Sequence, residues 1–214
     1  MIDHGVIERA QAYVKERFET EYSGHDYFHT LRVMRMATRI AEREHANIEM
    51  VQLAALLHDV DDRKLSPGTY RNQANARAFM QSSGLDEETI EAVCCIVQSV
   101  SFGDNDIPPN TPEAKCVQDA DRLDAMGAIG VGRAFAYGGR HQRWMHHPDI
   151  PAKPDMTKAE YVNHESTTIN HFYEKLFKLT ALMNTATAKE IAREREAYMR
   201  AFVSEFLDEW DGLR

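Results

Sequence analysis

NIEMVQLAALLHDV, from Asn47 to Val60, is apolar around almost the whole circumference of a helix. A helix of this kind belongs in the middle of a protein core. Its last residues include the pair His58-Asp59, and an ionised aspartate that ends so apolar a run must be paired or bound to a cation. The stretch therefore predicts a central, buried helix whose polar end needs a partner from elsewhere in the chain.

The sequence on both sides of this stretch repeats its apolar residues with helical spacing. We predict helices over about 6–18, 27–40, 70–83, 87–99, 111–126, 158–182 and 188–210. Glycines between Gly127 and Gly139 predict tight helix packing followed by a turn, and the proline-containing segment 141–157 predicts an irregular, partly mobile loop. Because no sustained alternation favours a sheet, the predicted class is all-α. It comprises a helical core (1–140), that loop, and C-terminal helices (158–214) packing on the core.

The amino-acid composition limits the classes of molecule that the protein is expected to bind. Lysine and arginine number 25 against 34 aspartates and glutamates, giving a net charge of −9. No long basic stripe is present, which argues against binding to duplex nucleic acid, since that binding depends on basic residues that neutralise phosphates. No apolar run approaches the ~20 residues of a membrane helix, no signal-peptide pattern is seen, and the three irregularly spaced cysteines indicate reduced thiols. We expect a cytoplasmic protein without a membrane partner, although a metal ion could recruit a small anion.

Four dispersed residues form a candidate metal site: His29, His58, Asp59 and Asp121. Each lies on an apolar stretch predicted to be helical, and their wide spacing suits ligands contributed by facing helices of a bundle. Imidazole nitrogens with carboxylate oxygens favour manganese, iron, cobalt, nickel or zinc, and we expect manganese. Four protein ligands on an ion that accepts six leave positions for water and substrate, as in catalytic sites. The alternative is a set of hydrogen-bonded buried residues without metal.

The order His, His-Asp, Asp resembles the signature of the HD-domain metal-dependent phosphohydrolases. The segments GHDYFHTLRV, LLHDVDDRK and VQDADRLDAMGAIGVGRAFAYGG, followed by NHFYEKLFKL and LMNTATAKEIA, resemble a bacterial branch of that family. This branch is similar to nucleotide pyrophosphohydrolases, which cleave nucleoside triphosphates to monophosphate and pyrophosphate. The resemblance implies an HD-domain helical bundle with a C-terminal helical cap, a divalent transition metal and a small phosphorylated substrate, a nucleotide.

The resemblance also assigns roles to acidic residues near the HD pair. Related hydrolases place an acid where Asp62 stands, about one helical turn after Asp59. Asp62 is therefore predicted to orient or deprotonate the attacking water, with a solvated acidic face as the alternative. Asp61 points elsewhere on the helix and is predicted to lie at the surface.

Further polar residues flank the first and last ligands. Asp121 is preferred to Asp119 as the last ligand because its ADRL context resembles the family, which leaves Asp119 as a supporting or capping residue. His25 and Asp26 precede the first ligand and are predicted to hydrogen-bond the metal water or fix an imidazole tautomer. They could equally cap the helix, since aspartate favours such positions.

Phosphate recognition needs positive groups. Arg32, Lys64, Lys175 and Lys178 are predicted to bind substrate phosphates, with solvated basic residues as the alternative. One departure from similar proteins is the loop from Phe102 to Lys115, which carries Asp104 and Asp106 where a more basic loop is common. If that loop touches the triphosphate, its acidity weighs against the nucleotide assignment.

Three other functions stay open at this stage. An HD phosphomonoesterase or phosphodiesterase would act on another small phosphate. A nucleotide- or metal-sensing module would keep the fold without turnover, and a purely structural bundle would use none of this chemistry. The apolar face of the last helix could pack on its own domain or on a second copy, so a homodimer is possible.

Overall fold

The protein is described by a computed structural model over residues 2–19, 26–62, 66–100, 107–157, 160 and 164–214. These residues contain helices and no strand, which confirms the predicted all-α class. The α-helices are α1 (His4–Arg17), α2 (Tyr27–Glu44), α3 (Ile48–Leu57), α4 (Ala74–Ser82), α5 (Glu87–Val100), α6 (Pro112–Asp124), α7 (Gly127–Arg140), α8 (Thr168–Glu174) and α9 (Ala186–Trp210), and a 3₁₀ helix covers Leu176–Leu182. Among the described residues, no helix is long and apolar enough to span a membrane.

Helix α3 is the central helix, as its composition predicted. It packs against α1, α2 and α5, and its residues from Leu53 to Leu57 have no exposed surface. The Asn47 side chain accepts a hydrogen bond of 2.9 Å from the Met50 amide, which caps the start of the helix. Burial of this apolar face stabilises the surrounding bundle and holds the end of α3 in a fixed position.

Two of the helix boundaries that differ from the prediction have a visible backbone cause. Helix α3 ends at Leu57 rather than at Val60, because the amides of Val60 and Asp62 bond to carbonyls three residues back, those of Leu57 and Asp59. Helix α4 begins at Ala74 rather than near residue 70, after Gln73 in a left-handed conformation (φ 52°).

The predicted helix 158–182 is not continuous. Thr167 is extended and its hydroxyl accepts a 3.1 Å hydrogen bond from the Asn170 amide, so α8 starts only at Thr168. The chain then leaves helical geometry at Lys175 (φ −138°) and continues as the 3₁₀ helix. The prediction overlooked that a threonine before an apolar run is a helix-start signal.

The chain forms two compact units, Met1–Asp121 and Arg122–Arg214. In the second unit, α9 packs against α7 and the 3₁₀ helix, and its Phe202 ring lies 5.9 Å from Phe135 and 6.1 Å from Phe172 between ring centroids. The sequence-based division at residues 140 and 157 stays a prediction.

Helix α7 offers a matched test of the predicted glycine packing. A Cβ atom on Gly130 would lie 2.3 Å from the Ala125 carbonyl oxygen, whereas one on Gly132 would meet nothing within 4 Å. We expect Gly130→Ala to lower the free energy of unfolding by about 2 to 3 kcal/mol, since backbone must move. Gly132→Ala should raise it by up to about 1 kcal/mol, because alanine favours helices. Urea unfolding of both variants checks this, and equal effects would contradict the close approach.

Candidate metal centre

Helix α2 fixes the position of His29. Asp26 is the N-cap residue of this helix, and its Oδ1 accepts a 2.7 Å hydrogen bond from the His29 amide. The His29 side chain is fully buried. Of the two roles considered for Asp26, capping is the one that the contacts support, and this cap also anchors the backbone of His29.

The end of α3 presents His58 and Asp59 together. His58 Nδ1 lies 2.7 Å from the Ala55 carbonyl oxygen, a contact that requires a proton on Nδ1. In the neutral imidazole, which is the form that binds a metal, the lone pair then lies on Nε2. Nε2 is buried and makes no hydrogen bond of good geometry within the described part of the chain. A buried nitrogen in this state fits a cation as its partner.

The four predicted ligands converge. His29 Nε2 lies 3.4 Å from Asp59 Oδ2 and 3.5 Å from Asp121 Oδ1, and His58 Nε2 lies 3.3 Å and 3.9 Å from the same two oxygens. The donor atoms of His29, His58 and Asp121 all lie within 4.8 Å of one another. Ligands at ~2.1 Å from one ion are separated by roughly 3 to 4 Å, so this spacing suits a single transition-metal ion.

Burial and charge differ across the cluster. The side chains of His29, His58 and Asp59 are at least nine-tenths buried, whereas that of Asp121 is 32% exposed, which gives the cluster one open side. Burial lowers the pKa of His58, but the negative charges of Asp59 and Asp121 outweigh it and raise this pKa to about 9. The surroundings therefore favour a positive charge in the cluster, as a cation site requires.

The structure places the other predicted residues of the first unit less decisively. Asp62 is partly exposed after the turn that follows α3, and its carbonyl oxygen accepts a 2.7 Å hydrogen bond from the Ser66 amide. Arg32 is partly exposed on α2, and Asp119 is fully buried on α6. Their predicted roles stay predictions. His25, Lys64, Asp104 and Asp106 lie outside the described residues.

Asp61 is a residue that the sequence reasoning placed wrongly. It is 5% exposed rather than at the surface. Its Oδ1 accepts a 2.7 Å hydrogen bond from Asn75 Nδ2, and its Oδ2 accepts one of 2.9 Å from the Ala76 amide. Asp61 thus caps the start of α4, whose own N-cap residue makes no side-chain cap. The clue in the sequence was an acid directly after a buried run with no basic neighbour beside it.

Lys175 and Lys178 belong to the second unit. Lys175 is partly exposed at the break after α8, and the Lys178 ammonium donates a hydrogen bond to the Pro154 carbonyl oxygen. The predicted role of Lys175 and Lys178 in phosphate binding stays a prediction.

His171, one turn before Lys175, makes the second unit sensitive to acid. Burial lowers the pKa of His171 to about 3, with further lowering by the charges of Lys175, Arg143 and His164. Between pH 6.5 and 3 the unfolded chain takes up a proton that the folded chain does not, so stability falls as the pH falls. From pH 7 to pH 5 this should remove roughly 1 to 2 kcal/mol. Urea unfolding at both pH values should show that His171→Gln loses less stability than the parent, and equal losses would contradict the assignment.

The comparisons with known proteins agree with this geometry. Residues 26–126, which include all four converging side chains, match the HD domain family. YpgQ of Bacillus subtilis is 33% identical over 209 residues, which cover 96% of this chain and 94% of YpgQ. The structure of an HD-superfamily hydrolase from Bacillus thuringiensis has a TM-score of 0.77, with 39% identity and 96% of each chain covered. The complex of Bacillus subtilis YpgQ with ADP has a TM-score of 0.75, with 33% identity over 95% of this chain and 96% of that chain. The chain therefore belongs to the HD domain family, as an HD-superfamily hydrolase.

Proposed function

We propose that the protein is a metal-dependent phosphohydrolase that cleaves nucleoside triphosphates to nucleoside monophosphate and pyrophosphate. The observation that carries this proposal is the convergence of His29, His58, Asp59 and Asp121, with an Asp59 oxygen and an Asp121 oxygen 3.3 to 3.9 Å from the two imidazole nitrogens. Nitrogen and oxygen donors in this number match a catalytic site for a divalent transition ion.

These four residues would hold the ion, which we propose to be manganese. A bound divalent ion polarises a phosphoryl oxygen and lowers the pKa of water near it. The protein contributes orientation: Ala55 fixes the tautomer of His58, and Asp26 fixes the start of the helix that carries His29. The exposed side of Asp121 leaves room for a phosphate to approach.

Other side chains complete the proposed chemistry. Asp62 follows the HD pair and would orient the attacking water or accept its proton. Arg32, Lys64, Lys175 and Lys178 would neutralise charge on the phosphate oxygens. His25 and Asp119 would support the ligands through hydrogen bonds.

The choice of a nucleotide substrate has separate support. YpgQ, a relative over nearly the whole chain, has been crystallised in complex with ADP. The acidic composition of this chain disfavours long nucleic acids, whereas a metal ion can attract the phosphates of a small molecule.

The deciding experiment is a panel of nucleoside triphosphates, monophosphates and simple phosphate esters, assayed with manganese and with each competing divalent ion. We expect monophosphate and pyrophosphate from triphosphates, and no turnover when the metal is removed by a chelator. Product identification separates the candidates, because a phosphomonoesterase would release only inorganic phosphate. Such a result would overturn the pyrophosphohydrolase assignment while leaving the metal centre in place.

A further inference from the structure

A cavity of about 470 Å³ opens on the second unit between the 3₁₀ helix and the first turns of α9. Its volume falls within the range of small-molecule sites. Its wall is formed by Phe177, Thr180, Ala181, Lys189, Arg193 and Glu196. None of these residues belongs to the metal centre or to the predicted phosphate-binding set, so any ligand of this cavity would bind separately from them.

Two positive charges in this wall lack compensation. The side chains of Lys189 and Arg193 form no hydrogen bond or ion pair with the residues that the structure describes. The acid in the same wall does not neutralise them, since Glu196 Oε1 already accepts hydrogen bonds of 2.9 Å and 2.7 Å from Arg200.

The placement of these cations opposes helix stability in two ways. Lys189 and Arg193 stand four residues apart on α9, where like charges face each other and repel. Lys189 is also the fourth residue of the helix, close to the positive end of its dipole, and the first turn contains no acid. An anion bound between the two side chains would relieve both effects, and the helix dipole would add to its attraction.

The remaining wall suits a phosphorylated ligand. The hydroxyl of Thr180 is buried without a hydrogen-bond partner among the described residues. Rotation of this side chain about its Cα–Cβ bond would turn the hydroxyl toward the cavity, where it could donate a hydrogen bond to a ligand oxygen. Phosphate oxygens accept from ammonium, guanidinium and hydroxyl donors alike. Phe177 adds an apolar surface beside these donors.

We propose that this cavity binds a small polyphosphate anion, with Lys189 and Arg193 as the residues that contact its oxygens. The site lies within the second unit and does not depend on the metal centre or on the proposed hydrolysis. The shared chemistry is that of linked phosphates, whether they come as free pyrophosphate or as the phosphate chain of a nucleotide.

The test is calorimetric titration of the full-length protein with sodium pyrophosphate, and separately with ATP, in the presence of a chelator that removes divalent ions. We expect Lys189→Gln combined with Arg193→Gln to weaken binding by about tenfold or more, because each substitution removes a charge-assisted contact. The ratio of the two affinities then identifies the source of the phosphates. Both replaced side chains are exposed, so the fold should be retained, and circular dichroism checks this.

The matched control combines Lys115→Gln with Lys153→Gln, which removes the same two charges at exposed positions outside the cavity. It should bind like the parent protein. If both double variants lose affinity equally, the effect is one of net charge and the site is refuted. Absence of binding by the parent protein to either compound at millimolar concentration refutes it as well.

Discussion

Replacement of Asp121 by alanine is expected to weaken manganese binding by more than about 100-fold and to lower kcat/KM by about 10³-fold or more. The substitution removes a carboxylate oxygen that lies 3.5 Å from His29 Nε2 and 3.9 Å from His58 Nε2. The two buried imidazoles cannot replace the negative charge of this ligand, because a histidine is neutral when it binds a metal.

Two readouts separate a ligand role from a structural one. In the parent protein, manganese at 100 times its dissociation constant should add about 2.7 kcal/mol to stability and raise Tm, and the Asp121→Ala variant should show no such rise. Glu42→Ala serves as the control, because Glu42 is an exposed acid on the helix that carries His29. A variant at Asp121 that keeps both its manganese-dependent Tm shift and its activity would remove this residue from the site.

The helices were predictable where one apolar face decides the structure. The run from Leu53 to Leu57 is fully buried, so its pattern identified α3 as the central helix. Its end was not predictable in the same way, since Val60 is as buried as the residues before it although the helix has already ended. Within a helix, buried residues are also the residues that make helical hydrogen bonds. At the end of a helix a residue can be buried without making them, and single backbone hydrogen bonds then decide where the helix stops.

The convergence of the candidate metal centre was predictable from residue types and context. Two histidines and two aspartates on apolar stretches needed polar partners from elsewhere in the chain, and the structure brings their donor atoms together. The Ala55 carbonyl that holds His58 was not predictable, because a backbone acceptor leaves no mark in a sequence. The cavity beside Lys189 was missed for a related reason: an unpaired lysine cannot be told from a solvated one until its neighbours are known.

Asp61→Ala is expected to lower the free energy of unfolding by about 2 to 4 kcal/mol and Tm by roughly 5 to 15 °C. Its carboxylate is 5% exposed and accepts hydrogen bonds from Asn75 and from the Ala76 amide, while Ala76 itself is 1% exposed. Alanine would leave the Ala76 amide buried and unsatisfied at the positive end of α4. Asp86→Ala is the matched control, since Asp86 also caps a helix, through a 2.8 Å bond from the Thr89 amide, but at an exposed position.

Water can replace the lost cap at Asp86, so that variant should lose only about 0.5 to 1 kcal/mol. Chemical denaturation of the metal-free proteins measures both effects, and similar losses for the two variants would contradict the buried role of Asp61.

The loss of Asp61 should also affect metal binding. Asp61 lies two residues after Asp59 and ties the turn that follows α3 to α4, so its loss should loosen the HD pair. Manganese affinity of the folded Asp61→Ala protein should therefore fall by about tenfold, the effect of losing a residue that orients a ligand without binding the metal.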